Sequence, residues 1–318
     1  MSTSVGIPQG LLYYRYFPMW RSFFDALDVD VVVSPPTNKS IVKRGTELGE
    51  NELCLPVKIF FGHVAALDGT VDFIFVPRVV SVERRELTCP KFLGLPDMTR
   101  VLGFTTPILA PTIDMRRGRR DFVAQAWKVA RTLGAPHTRI PGAIQTGLRA
   151  HERWERDMLD GKPLRVPHAE PEGGRRLRIG VAGHPYNIYD PQISMDLIKR
   201  LAGRGIDVVT PEMVSHGEIR SAVADIPKAL FWTYEKEVLG AAKHWVDNGL
   251  VDGVIYMLSF ACGPDSFVQV LIEDAVRSAV KPVPLLSLVI DEHSGEAGFV
   301  TRLEAFLDML QRREAVLA

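Results

Sequence analysis

The chain has 318 residues, 46% hydrophobic and 24% charged, and its 38 basic and 38 acidic side chains leave a formal net charge of zero. That balance excludes the basic surplus of a nucleic-acid binder, and the length allows two domains, each with its own core. Apolar runs such as Pro282 to Ile290 are too short to span a bilayer, and Met1 to Gln9 lacks the charged start and apolar core of a signal peptide. A cytoplasmic protein with no membrane or nucleic-acid partner is expected.

Ser4 to Ile7 reads as a first strand, broken by Pro8, and Leu11 to Leu27 as a helix whose Tyr13, Tyr14, Tyr16, Phe17, Trp20, Phe23 and Phe24 pack on a sheet. Asp30 to Ser34 is a β-branched strand ending at Pro35-Pro36, and Lys39 to Leu48 is helical. A loop carrying Glu52, Cys54 and Pro56 precedes a helix over Val57 to Ala66, and Val71 to Val76 is a third strand stopped by Pro77. Arg78 to Pro96 reads as charged and irregular, Pro107 to Ala110 as a fourth strand, and Arg119 to Leu133 and Ile140 to Leu159 as amphipathic helices.

Residues 161 to 176 carry proline, glycine and charge without an apolar period, as a linker does, so the expected domains are 1–165 and 177–318. In the second, strands are predicted at Arg178 to Ala182, Asp207 to Thr210, Val251 to Leu258 and Pro284 to Ile290. Helices fall near 191–203, 215–223, 235–248, 266–279 and 298–312. Strands alternating with helices predict an α/β fold with a doubly wound parallel sheet in each half.

The halves also echo each other. Gly6-Ile7-Pro8 matches Gly180-Val181 with nearby Pro185, and Asp30 to Pro35 matches Asp207 to Pro211. Val71-Asp72 matches Val251-Asp252, and Pro107 to Asp114 matches Pro284 to Asp291, all in the same order at offsets of about 174 to 180 residues. An internal duplication is the inference.

Three cysteines, an odd number, argue against a disulfide framework. The apolar run Val254 to Phe260 ends at Cys262, before the helix-starting residues Gly263, Pro264, Asp265 and Ser266. This puts a thiol on a strand-to-helix corner, where open α/β sheets bind ligands and where the helix start favours negative charge. A lone cysteine there is most simply a small buried hydrophobe. Here, however, each half follows its third strand with a cysteine and a proline, Cys89-Pro90 and Cys262-Gly263-Pro264, and Cys54 precedes another helix. If the two corners face each other across an interdomain cleft, the thiols meet.

Three chemistries then stand open. Structural zinc prefers four closed ligands with paired spacing, which is absent. A Cys–His nucleophile, with His63, His184 or His293 as base, leaves two thiols unused. An iron–sulfur cluster with three thiolates and one open iron uses all three. The dispersed spacing does not choose among them. Lys58, Arg78 and Lys91 adjoin the cysteines and either offset cluster charge or are solvated. Asp265 and Ser266 read as helix-start residues, Glu292 and His293 follow a strand end as an acid/base pair, and Tyr186 and Tyr189 lie in a loop beside the cleft.

Gly6-Ile7-Pro8, Leu11 to Tyr14, Phe17-Pro18, Ser34 to Asn38, Cys54 to Lys58, Pro77-Arg78, Cys89-Pro90-Lys91, Cys262 to Ser266, Asp291-Glu292-His293 and Thr301-Arg302 with Glu304 carry a resemblance over nearly the whole chain. The sequence resembles the acyl-CoA dehydratase activase-related proteins, in the superfamily of 2-hydroxyacyl-CoA dehydratase and benzoyl-CoA reductase subunits. The resemblance implies two flavodoxin-like domains with a [4Fe-4S] cluster between them, held by Cys54, Cys89 and Cys262. It also implies a homodimer and a separate ATP-hydrolysing activase that supplies low-potential electrons; no phosphate-binding glycine-rich loop marks this chain as that activase. The chain is shorter than the true dehydratases and lacks a clear acyl-CoA site. Two functions follow: reduction or dehydration of a small substrate, such as an acyl-CoA, at the open iron, or non-catalytic electron carriage by a cluster-binding scaffold.

Overall fold

The computed structural model describes residues 3–162, 176–228 and 230–317. The chain forms two compact units, the first from residues 1–156 with 230–233, the second from 157–229 with 234–318. Of the linker expected at 161 to 176, residues 163–175 lie outside the described residues.

The first unit opens with β1 (Ser4–Ile7), α1 (Tyr13–Asp25) and β2 (Asp30–Val33), as the apolar pattern predicts. Asn38 accepts hydrogen bonds from the Ser40 and Ile41 amides, an N-cap that starts α2 (Lys39–Leu48). Next come α3 (Leu55–Leu67), β3 (Phe73–Phe75), β4 (Arg78–Ser81), α4 (Pro90–Val101), β5 (Ile108–Leu109) and β6 (Thr112–Asp114). The helices α5 (Arg119–Thr132) and α6 (Ile140–Leu159) follow. The stretch 78–96 is therefore not irregular. Val79 and Val80 belong to a short β-branched strand paired with β6, and Pro90 starts a helix that tolerates Pro96 within it.

The strands β2-β1-β3-β5 form a wholly parallel sheet. Val5, Ile7, Val31, Phe75 and Leu109 from it pack with Phe24 of α1, Val129 of α5 and Ile140 of α6, and Tyr13, Phe17, Trp20 and Phe23 join this core. The helix α3 is buried continuously from Leu55 to Val64 and crosses α2 closely enough to require glycine on both sides. A Cβ on Gly45 would lie 2.0 Å from the Lys58 carbonyl oxygen, and one on Gly62 2.1 Å from that of Ile41.

The second unit contains β7 (Arg178–Gly183), α7 (Pro185–Ile188), α8 (Leu197–Ala202), β8 (Asp207–Val209), α9 (His216–Ala222), α10 (Thr233–Asp247) and β9 (Gly253–Ser259). It ends with α11 (Gly263–Ser278), β10 (Leu285–Ile290) and α12 (Glu296–Leu317). The expected helix at 191–203 is shorter, because α8 begins only at Leu197, after Met195 and Asp196 take positive φ. The sheet order is β10-β9-β7-β8, again wholly parallel, with every residue of β9 buried.

Within each four-stranded sheet, counting strands in chain order, the first lies between the second and the third. The same polar contact recurs in both: Asp72 accepts from the Ser4 amide at 2.8 Å, and Asp252 accepts from the Arg178 amide at 2.8 Å. No helix among the described residues is long and apolar enough to cross a membrane.

Candidate functional site

In the second unit, the order in which strands are added to the parallel sheet reverses between β7 and β9, since β8 lies on one side of β7 and β9 on the other. Ligands of open α/β sheets bind at such a switch point, beyond the carboxyl ends of the strands. His184 follows the last residue of β7 and is the N-cap of α7. Cys262 follows β9 after a turn in which Ala261 has φ +62°, and it is the N-cap of α11. A side chain that carries a Cβ costs about 1 to 2 kcal/mol in this left-handed region. Asp265 lies in the first turn of α11 and Glu235 in the first turn of α10.

These side chains converge. His184, Cys262 and Asp265 are all buried, and their potential ligand atoms lie within 4.8 Å of one another. His184 Nε2 is 3.0 Å from Asp265 Oδ1 and 3.9 Å from Glu235 Oε1. The first contact is an ion pair in distance, but the ring N–H does not point along it, so neither ring nitrogen has an aligned hydrogen bond. Among the described residues, Asp265 Oδ2, Glu235 Oε2 and Asn187 Nδ2 are likewise buried without a hydrogen-bond partner. Tyr256 donates to Asp265 Oδ1 at 3.1 Å, and the Tyr186 ring stacks on His184 at 5.0 Å between centroids.

Burial alone would strip the proton from His184, but the charges of Asp265 and Glu235 outweigh it and raise the imidazole to about 9. Burial pushes the Glu235 carboxyl up, only partly offset by His184. The Tyr256 phenol is raised well above its usual range, by burial first and then by the Asp265 charge. Buried polar groups are ordinarily hydrogen-bonded, so the unpartnered atoms of His184 and Asp265 beside the Cys262 thiol make this group a candidate ligand site.

The first unit holds a different polar cluster. His63, fully buried on α3, has Nδ1 2.9 Å from Ser34 Oγ and Nε2 3.0 Å from Thr37 Oγ1, and Ser34 Oγ accepts from the Gln9 amide at 2.8 Å. Burial lowers His63 to about 4.

The three cysteines share one local position. Cys54, Cys89 and Cys262 are the N-caps of α3, α4 and α11, each helix has a proline in its first two positions, and in none does the side chain serve as a capping acceptor. Lys58, one turn along α3 from Cys54, is buried rather than solvated, with Nζ 3.3 Å from the Asn51 carbonyl. Arg78 bonds the Leu93 carbonyl of α4 and pairs with Asp97 at 2.7 Å, holding that carboxyl below its usual range. Lys91 is half-buried in the first turn of α4.

Glu292 and His293 lie on the turn after β10, outside the His184 group. The His293 amide donates to Asp291, and its side chain is exposed. Tyr189 donates to Glu212 at 2.7 Å. Sequence reasoning missed Glu235, an ordinary helix residue, and took Asp265 only as a helix start.

Two family models cover the chain. The CoA enzyme activase uncharacterised domain matches residues 4–214, and the 2-hydroxyglutaryl-CoA dehydratase D-component matches residues 151–310. The chain is an activase-related member of the 2-hydroxyglutaryl-CoA dehydratase superfamily. The D-component match includes His184, Glu235, Cys262 and Asp265, and the activase-domain match includes Cys54, Cys89 and His63. No curated protein matches the chain.

Proposed function

We propose that this dehydratase-family chain is an iron–sulfur component in which Cys54, Cys89 and Cys262 ligate one [4Fe-4S] cluster with one iron left open. The observation that carries this reading is the shared placement of the three cysteines, each at the amino end of a proline-started helix. The donor set fits: a helix start favours negative charge, and these sulfurs are not used as caps. A cluster so held supplies a Lewis-acidic, electron-donating iron to a small substrate such as an acyl-CoA. Lys58 offsets anionic charge one turn from Cys54, and Glu292 with His293 acts as an acid/base pair on the substrate. Low-potential electrons come from a separate ATP-hydrolysing activase, and the chain works in the cytoplasm as a homodimer.

We also infer that the two units are flavodoxin-like and arose by duplication, with a boundary between residues 165 and 177. The shared strand order and the paired Asp72 and Asp252 contacts support this.

Anaerobic purification with iron and sulfide analysis tests the cluster, with about four of each per chain expected. Adding cyanide or an acyl-CoA to the reduced protein then tests the open iron. A changed spectrum supports catalysis there, whereas an unchanged spectrum with every ligand makes the chain an electron carrier.

A further inference from the structure

We propose that His184, Cys262 and Asp265 also form a site for a single divalent transition-metal ion of the zinc or ferrous class, which the chain binds when no cluster is assembled. The site lies wholly within the second unit and does not rest on the cluster reading, with which it shares only Cys262.

One thiolate, one imidazole and one carboxylate make a mixed sulfur, nitrogen and oxygen set, which selects a borderline ion such as zinc over magnesium or calcium. Tetrahedral coordination places donor atoms roughly 3.3 to 3.8 Å apart. His184 Nε2 and Asp265 Oδ1, at 3.0 Å, already stand near that spacing, and the full set lies within 4.8 Å, so small side-chain rotations close it. The independent sign of a missing ligand is the group of buried polar atoms that have no hydrogen-bond partner among the described residues: both nitrogens of His184, Asp265 Oδ2 and Glu235 Oε2. One divalent cation would give one His184 nitrogen and the two carboxylates the partner that the described residues do not. It would also offset the excess of buried acid, since Asp265 and Glu235 face a single imidazole.

The elements hold the ligands for this purpose. The left-handed Ala261 aims Cys262 from the end of β9, and His184 comes from the end of the adjacent strand β7. Stacking on Tyr186 fixes the imidazole plane, and the Tyr256 hydroxyl orients Asp265, the outer contacts that tune a metal site. Three protein ligands leave a fourth position for water or for Glu235.

The test is cobalt(II) titration of the full-length chain, stripped of metal under reducing conditions. One cobalt per chain is expected, with a thiolate-to-cobalt charge-transfer band. Cys262→Ser should abolish the band, and His184→Gln and Asp265→Asn should each weaken binding at least tenfold, while a Cys54→Ser, Cys89→Ser double variant should bind as the parent does. Circular dichroism identifies any variant that has lost the fold, and in that case the near-isosteric His184→Gln and Asp265→Asn decide the outcome. Absence of stoichiometric cobalt, a band that survives Cys262→Ser, or a band lost in the double variant overturns the site. The double variant also separates the two readings, because it removes two cluster ligands and none of this site's.

Discussion

The two buried histidines, one in each unit, sit in opposite electrostatic settings. His63 has a hydroxyl at each ring nitrogen and is driven neutral by burial, to about 4. His184 resists burial because Asp265 and Glu235 lie beside it, is held protonated to about 9, and has no aligned hydrogen bond at either nitrogen. The difference separates a hydrogen-bonded network from a charge-paired one whose ring nitrogens lack aligned hydrogen bonds. Two hydroxyls satisfy a neutral imidazole fully, so His63 locks β2 and α3 together, whereas the His184 imidazole is held by charge from its neighbouring acids without an aligned hydrogen bond among the described residues.

The largest expected effect breaks the His184 side. Asp265→Ala leaves the buried imidazolium facing a lost partner and should destabilise the metal-free protein by about 3 to 5 kcal/mol, read from urea unfolding. A loss below about 1 kcal/mol would mean that the pair is solvated and the contrast with His63 false.

The next effect uses pH on the His63 side. Its folded value lies below the ordinary 6.5, so its contribution is complete above pH 6.5 and is lost as pH falls through about 4. Over that window about 3 kcal/mol of stability should go, since the unfolded chain takes up a proton that the folded chain excludes. His63→Gln should flatten this acid limb, and a variant with the parent's acid limb would show that other groups carry it.

A smaller effect sharpens the structural role of the network. Ser34→Ala removes the partner of His63 Nδ1 and of the Gln9 amide, and should cost about 1 to 3 kcal/mol in thermal or urea unfolding without changing metal content. A change in metal content would place His63 in a ligand site rather than a lock.

Most of the fold was legible because its elements have strong local periods. The helices over Lys39–Leu48 and Ile140–Leu159 match their amphipathic patterns residue for residue, and β9 follows its unbroken apolar run. Between Arg78 and Val101 the pattern misleads, since β4 is only four residues long and Pro96 mimics a stop inside α4. The cysteines were visible as residues beside prolines, and their common N-cap geometry emerged only from the backbone. The His184 cluster was hidden for a different reason. Its members come from the end of β7, from α10 and from the start of α11, far apart in the chain, and Glu235 and Asp265 each look like ordinary acids near a helix start. Only packing converts them into one group.

The most direct test of three-thiolate ligation is the iron content and cluster spectrum of Cys54→Ser, Cys89→Ser and Cys262→Ser, each purified anaerobically beside the parent. A merely buried thiol changed to a hydroxyl would cost about 1 to 3 kcal/mol and leave metal content alone. If all three sulfurs hold the cluster, every variant remains folded, its cluster becomes labile, and it retains far less iron than the parent. Any one variant with full iron and an unaltered spectrum would contradict this and remove that cysteine from the ligand set.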